Sequence, residues 1–406
     1  MSHRCGFILS SIVLLLTGCA RILPIPVPIF VQVPVQTTLF TNQTITQTVT
    51  SVPTVTVSFT EISAHLGQAL TVAPVDARAI YFTDWALLKA YKGVPNLNSE
   101  SPIDARMAFM LTLNEDQATP SVYGARAFLR FAEEWGWDST DLRWEVTIES
   151  AGPPVHILKL RDDFDLAPVL SKFSEREFHQ QTLAGTTIYT HEMALTEDWF
   201  TVGELSIANT AVISAARLLI FSSSPDALQA TLDVYAGQAK SLGDDADVQT
   251  TAAALGDVAG AIITPGIDTC RGLSFDAIAQ TLLRDDPASE ENLAELKQKL
   301  LGGSTLHPYT GFALGYRYAD DRPVGLIVMH FPNAEDAQAD LAVRRTAAET
   351  GISVVTGQPL SESVFTLDDA RVTGNALVLQ LRPQNDQPTR LFQMFFTRDM
   401  AFAGCP

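Results

Sequence analysis

The sequence predicts an α+β fold, rich in antiparallel sheet, with helices on one face and two similar halves. Three observations predict it. Apolar runs of strand length come in pairs around turn residues, as at 142–160 and 312–330, which is the pattern of hairpins. Two such runs lead through a short polar link into a proline and an alanine-rich helical stretch, at 218–235 and 326–349. Apolar residues in the segments between them fall at helical spacing instead, as at 85–91 and 128–135.

In chain order, residues 79–82 read as a short strand. Thr83 and Asp84 then offer an N-cap to a helix from Trp85 to Tyr91, which Gly93 stops. A polar loop with Pro95 and Pro102 follows, then a second helix over 128–135 that ends at Gly136. Residues 142–149 and 155–160 pair around Ser150-Ala151-Gly152-Pro153-Pro154, and Asp165 caps a strand-to-helix turn within 161–173. Strand 218–221 runs through three serines to Pro225, and strand 326–329 runs through His330-Phe331 to Pro332. Each proline is expected at the first helical position, where a missing N–H costs nothing. The likeness of these two units is the basis for two halves. The second half opens at Gly266 and contains a helix at 287–301 and a Gly302-Gly303 break. It continues with a hairpin around Asp320-Asp321-Arg322-Pro323, and residues 364–367, 376–381 and 391–396 complete its strands.

The chain has 406 residues, a formal net charge of −19 and only 18% charged residues. That low fraction is concentrated at one end. From Ile22 to Thr60 there is no Asp, Glu, Lys or Arg. Pro24, Pro26, Pro28 and Pro34 forbid a helix in the first part, while Thr44, Thr46, Thr48 and Thr50 alternate with Ile45, Gln47 and Val49 in the second. The stretch is expected to be a tether, or in its threonine-rich part a strand docked on the body. The resulting organisation is 1–18, 19–60, 61–265 and 266–406: signal, tether, and two α+β domains or halves. An acidic chain without a basic block excludes nucleic acid as a partner.

Arg4 is a short positive region, residues 7–16 are apolar, and the run ends in Leu16-Thr17-Gly18-Cys19. This has the anatomy of a signal peptide. The four-residue ending resembles the lipobox of bacterial lipoprotein precursors, a resemblance confined to residues 1–19. It implies cleavage before Cys19 and acylation of Cys19, and several acyl chains suffice for stable attachment to membrane lipid. Cys5 leaves with the signal. Cys270 and Cys405 then remain, and two leftover thiols in an oxidising compartment most often pair; two free thiols or a metal pair are the alternatives.

No catalytic motif stands out. The seven histidines form no His-x-x-x-His or His-Glu-x-x-His, and no Walker loop, Gly-x-Gly-x-x-Gly or Gly-x-Ser-x-Gly is present. No CxxC spacing supports zinc, so neither a metal nor a cofactor is expected. The acidic clusters at 162–165, 244–247, 285–286 and 320–321 read as turns and caps, since none follows a calcium-loop pattern. Trp135, Trp137 and Trp144 fall within ten residues. Exposed, they would stack on a saccharide or grip an envelope protein; packed, they are core. His191-Glu192 near Asp198 are acid–base types that read as surface residues. The expectation is a lipid-anchored protein on the extracytoplasmic face of the cell envelope, with a binding or structural role. A substrate-binding lipoprotein of an uptake system and a secreted hydrolase are the alternatives.

Overall fold

Strands that are apolar on both faces need cover on both faces, and that requirement shapes the body. The computed structural model describes residues 63–116, 119–120, 128–192, 204–266, 268–274, 277–278, 298, 305–353 and 355–406. The signal, the uncharged stretch 22–60, Asp198, Asp285-Asp286 and, apart from residue 298, the helix expected at 287–301 lie outside the described residues.

The strands are β1 (Ala79–Thr83), β2 (Leu142–Glu149), β3 (Val155–Leu160), β4 (His179–Leu183), β5 (Thr186–Thr190) and β6 (Asn209–Ile213). They continue with β7 (Leu218–Ser222), β8 (Gly260–Pro265), β9 (Gly311–Ala319), β10 (Arg322–His330), β11 (Phe365–Thr373) and β12 (Ala376–Pro383). All join one antiparallel sheet in the order β11-β12-β10-β9-β8-β1-β2-β3-β7-β6-β5-β4. The fold is therefore α+β and antiparallel.

Side chains alternate between two cores. Leu219 and Phe221 of β7, Ile327 and Met329 of β10, and Phe312, Leu314 and Tyr316 of β9 enter the first core. Ile220, Leu326, Val328 and Ala313 enter the second. The first is covered by helices Trp85–Tyr91, Ile103–Asp116, Phe128–Trp135, Ala167–Glu175, Ala334–Thr350 and Thr389–Phe396. The second is covered by helices Ala64–Val72, Pro225–Tyr235 and Ala246–Leu255. Helices thus flank both faces rather than the one expected, because the strand runs are apolar throughout and a bare face would leave Ile80, Phe82 and Val328 in water.

Two halves do repeat, in a register different from the one the sequence suggested. From the central β1/β8 pair outward, the order β1-β2-β3-β7-β6 mirrors β8-β9-β10-β12-β11. Each half runs inner strand, hairpin, helix on the first core, hairpin; β4–β5 is an additional hairpin in the first half. The counterpart of β10 with its following helix is β3 with helix Ala167–Glu175, and the counterpart of β7 is β12. The pairing of 218–235 with 326–349 matched two strand-to-helix turns at different places in the repeat. Their prolines also differ: Pro225 stands at the first helical position behind a Ser224 cap, whereas Pro332 precedes the Asn333 cap. The sheet passes unbroken through residue 265, since β8 pairs with β1 on one side and β9 on the other.

Candidate functional site

The two halves meet at β1 and β8, where Ile80 lies opposite Ile263 and Tyr81 opposite Ile262. Ile80 and Ile263 turn to the second core, so Ala79, Tyr81 and Thr264 turn to the first. Beyond them, at the end of the pair, opens a cavity of about 550 Å³. Its polar wall carries Arg78, Tyr81, Glu149, Thr264 and Arg398, and Leu273 and Phe396 are on its apolar wall. The Tyr81 hydroxyl donates to Glu149 Oε2 at 3.0 Å. Burial first, and then the Glu149 carboxylate, push the Tyr81 phenol above its ordinary value. The Tyr81 ring stacks on Phe396 with centroids 5.9 Å apart, and Phe396 leaves 56% of its surface exposed.

Arg398 reaches this wall through an unusual backbone. Helix Thr389–Phe396 ends with Arg398 N–H donating to Phe395 C=O at 3.1 Å and Asp399 N–H to Met394 C=O at 2.8 Å. This stop needs a left-handed residue and normally uses glycine, but here Arg398 takes it, with φ +57°. Its Nη1 donates to Ala277 C=O at 3.5 Å. Among the described residues neither Arg78 nor Arg398 has an acidic partner, and Thr264 Oγ1 is buried without a hydrogen bond.

The residues nominated from sequence fall elsewhere. Trp135, Trp137 and Trp144 are only 0%, 4% and 2% exposed. Trp135 packs edge-on against Phe173 and Phe178, and Arg176 lies over its ring at 4.3 Å. These rings are core, so none can stack on a saccharide. Cys270 and Cys405 are joined as a disulfide, with Cα atoms 5.2 Å apart. The bond borders the cavity, because Thr269, Gly272 and Leu273 of the Cys270 segment line it and Cys405 N–H donates to Leu273 C=O at 2.9 Å. His191 and Glu192 line a second cavity of about 620 Å³ together with Glu177 and His179, and His191 stacks on Phe178. Asp198 is outside the described residues. His156 is remote from them, buried against Phe221 and bonded to Thr147. The acidic clusters that are described serve turns and caps: Asp245 receives Asp247 and Val248 N–H, Asp162 pairs with Arg143 and Lys159, and Asp320-Asp321 form the β9–β10 turn, both with positive φ.

Two buried polar networks carry no sequence signature. In one, Asp138 accepts from Arg106 at 2.5 Å, and Lys89 Nζ donates to Leu97 C=O at 3.1 Å and Thr140 C=O at 2.7 Å. Burial lowers Lys89 to about 8 against the pull of Asp141 and Asp138, and burial with the Asp138 charge raises Asp141. In the other, fully buried Arg344 binds Asp340 at 2.9 Å, Phe402 C=O at 3.2 Å and Gly404 C=O at 3.1 Å, while the Tyr309 hydroxyl donates to Ala403 C=O at 2.8 Å. Every charge in these networks is matched to backbone or to an opposite charge, the arrangement of structural pairs. The two hydrogen-bonded histidine–carboxylate pairs among the described residues are also occupied: Asp84 holds His65 at 2.8 Å while capping a helix, and Asp340 holds His307 at 2.7 Å while binding Arg344. The cavity residues Arg78, Tyr81, Glu149, Thr264, Phe396 and Arg398 are separated by up to 320 positions and form no local motif.

No protein-family model and no curated protein matches the chain. Solved structures similar to it include three crystal forms of TP0453. Form I is 9% identical, with 81% of this chain and 96% of that one covered and a TM-score of 0.33. Form III is 12% identical with coverages of 79% and 95% and a TM-score of 0.34, and form IV is 11% identical with coverages of 80% and 97% and a TM-score of 0.32. At these scores the likeness carries no inference about this chain.

Proposed function

We propose that this protein is a lipid-anchored, extracytoplasmic protein of the cell envelope whose body has a binding rather than a catalytic role. The observation that carries the reading is Leu16-Thr17-Gly18-Cys19 at the end of an apolar signal. The Cys270–Cys405 disulfide supports it, because structural disulfides belong to oxidising compartments. The binding role rests on the cavity at the end of the β1/β8 pair, whose wall carries Arg78 and Arg398 without an acidic partner among the described residues. The uptake alternative anticipated a cleft between two lobes, and the described body is instead one continuous sheet. The hydrolase alternative draws on the cavity where His191 and Glu192 meet Glu177 and His179.

Metabolic labelling with palmitate and membrane fractionation test the anchor. Wild type is expected to take up label and sediment with membranes, and Cys19→Ala to take up no label. Unlabelled wild-type protein would remove the anchor from the reading.

A further inference from the structure

We infer that the cavity at the β1/β8 end binds a small organic anion, one carboxylate or phosphate group on a flat or apolar body. This deepens the binding role proposed above and is independent of the anchor. Three features carry it. The wall holds two guanidinium groups, Arg78 and Arg398, with no acidic partner among the described residues, against the single carboxylate of Glu149. Glu149 is already engaged by the Tyr81 hydroxyl. On a chain with a net charge of −19, Arg106, Arg143, Arg161, Arg344 and Arg345 each pair with a carboxylate. Guanidinium forks match carboxylate and phosphate oxygens, so two on one wall without an acidic partner among the described residues constitute an anion receptor.

The second feature is the cost accepted to place one of them. Arg398 occupies a left-handed helix stop where glycine would be unstrained, and the position delivers its side chain to the wall. The third is the rest of the lining. The Phe396 ring, stacked on Tyr81 and more than half exposed, gives a flat apolar surface beside the charges. Thr264 Oγ1, buried in the lining, has no hydrogen-bond partner among the described residues. A volume of about 550 Å³ lies within the usual range for small-molecule sites, which favours an organic ligand over a bare inorganic ion.

The full chain in detergent micelles, titrated calorimetrically with phenyl phosphate, benzoate, inorganic phosphate and benzylamine, provides the test. Phenyl phosphate or benzoate is expected to bind saturably, inorganic phosphate at least fivefold more weakly, and benzylamine not at all. Arg78→Gln and Arg398→Gly should each lower affinity for the organic anion about tenfold or more, the loss of one charge-assisted contact. Arg398→Gly is the decisive variant, because glycine suits the backbone there and its thermal midpoint should be no lower than that of wild type. No saturable binding of either organic anion at 10 mM, or equal affinity in wild type and both variants, would overturn the inference. So would inorganic phosphate binding as tightly as phenyl phosphate. None of these results touches the palmitate experiment, so the two failures are distinguishable.

Discussion

His156 shows how much a single side chain can be made to carry. It lies on β3 with its ring against Phe221, 5.5 Å between centroids, and its Nδ1 2.9 Å from Thr147 Oγ1. Burial lowers its pKa to about 3 from the ordinary 6.5, because the charged imidazolium would have to leave water. The sign of the consequence follows. Above pH 6.5 the ring is neutral in the folded and unfolded chain, and its titration costs nothing. Between pH 6.5 and about 3 the unfolded chain takes up a proton that the folded one refuses, so stability falls by about 1.4 kcal/mol per pH unit, and below about 3 the loss stops growing. His156→Gln keeps a partner for Thr147 and removes the titration. Urea unfolding at pH 7 and pH 5 should therefore show wild type losing about 2 kcal/mol more than this variant over that interval. Parallel losses would place the acid sensitivity elsewhere. Nothing in the sequence marks His156 as different from the half-buried His191; the difference is made by Phe221, which is 65 positions away in the chain and lies opposite His156 on the adjacent strand β7.

Helix Thr389–Phe396 illustrates the same dependence for a whole element. Residues 391–396 read as a strand because a short apolar run carries no clear period. In the structure Leu391, Phe392 and Met394 face the first core while Gln393 and Phe396 face out, and the sheet is already complete without this segment. Its seat is a gap left by glycine. A Cβ on Gly325 of β10 would collide with Leu391 Cδ1, so the missing side chain in the strand is what lets the helix lie against the sheet. Gly325→Ala is expected to cost about 1–3 kcal/mol by overpacking and Leu391→Ala about 2–5 kcal/mol by opening a cavity. Combined, the two should cost clearly less than their sum, since each relieves what the other causes. Additive losses in a double-mutant cycle measured by chemical denaturation would show that the contact does not set the helix position. Elements with their own local signals were legible: the Asp84-capped helix, the hairpin of β2 and β3, and the turn at Asp320-Asp321. The short β4, β5 and β6, and the helices Ala64–Val72 and Ile103–Asp116, were not. Their residues alternate weakly or not at all, and only contact with the completed sheet decides them.

At the scale of the molecule, one covalent bond and one buried arginine act on the same stretch of chain by different means. Cys270 and Cys405 are 135 residues apart, and the loop they close contains β9 to β12 and with them most of the second half. Such a loop restricts the unfolded chain, and the chain-entropy model puts the gain at up to about 5 kcal/mol. The last residues do not depend on that bond to stay docked. Arg344 holds the Phe402 and Gly404 carbonyls, Tyr309 holds that of Ala403, and Cys405 N–H pairs with Leu273. Reduction should therefore lower the stability of the entire body while leaving the native packing of residues 402–405 in place. The prediction for Cys405→Ser is a drop of several kcal/mol in denaturant unfolding, with unchanged near-ultraviolet dichroism and unchanged hydrogen exchange at Cys270–Leu273 and Phe402–Gly404 under native conditions. Arg344→Met, with the disulfide intact, should do the opposite locally: four carbonyl or carboxylate partners lose their donor, and Asp340 is left buried with His307 as its remaining side-chain partner among the described residues. Faster exchange confined to the terminal segment in Cys405→Ser, with global stability preserved, would mean that the disulfide is a local clasp. In that case the cavity wall formed by Thr269 and Leu273 would depend on the redox state of the compartment, and affinity for the organic anion would fall on reduction. With Arg344 and Tyr309 holding the segment as they do, the wall is expected to survive, and reduced protein at temperatures well below its unfolding transition should bind the anion as tightly as the oxidised form.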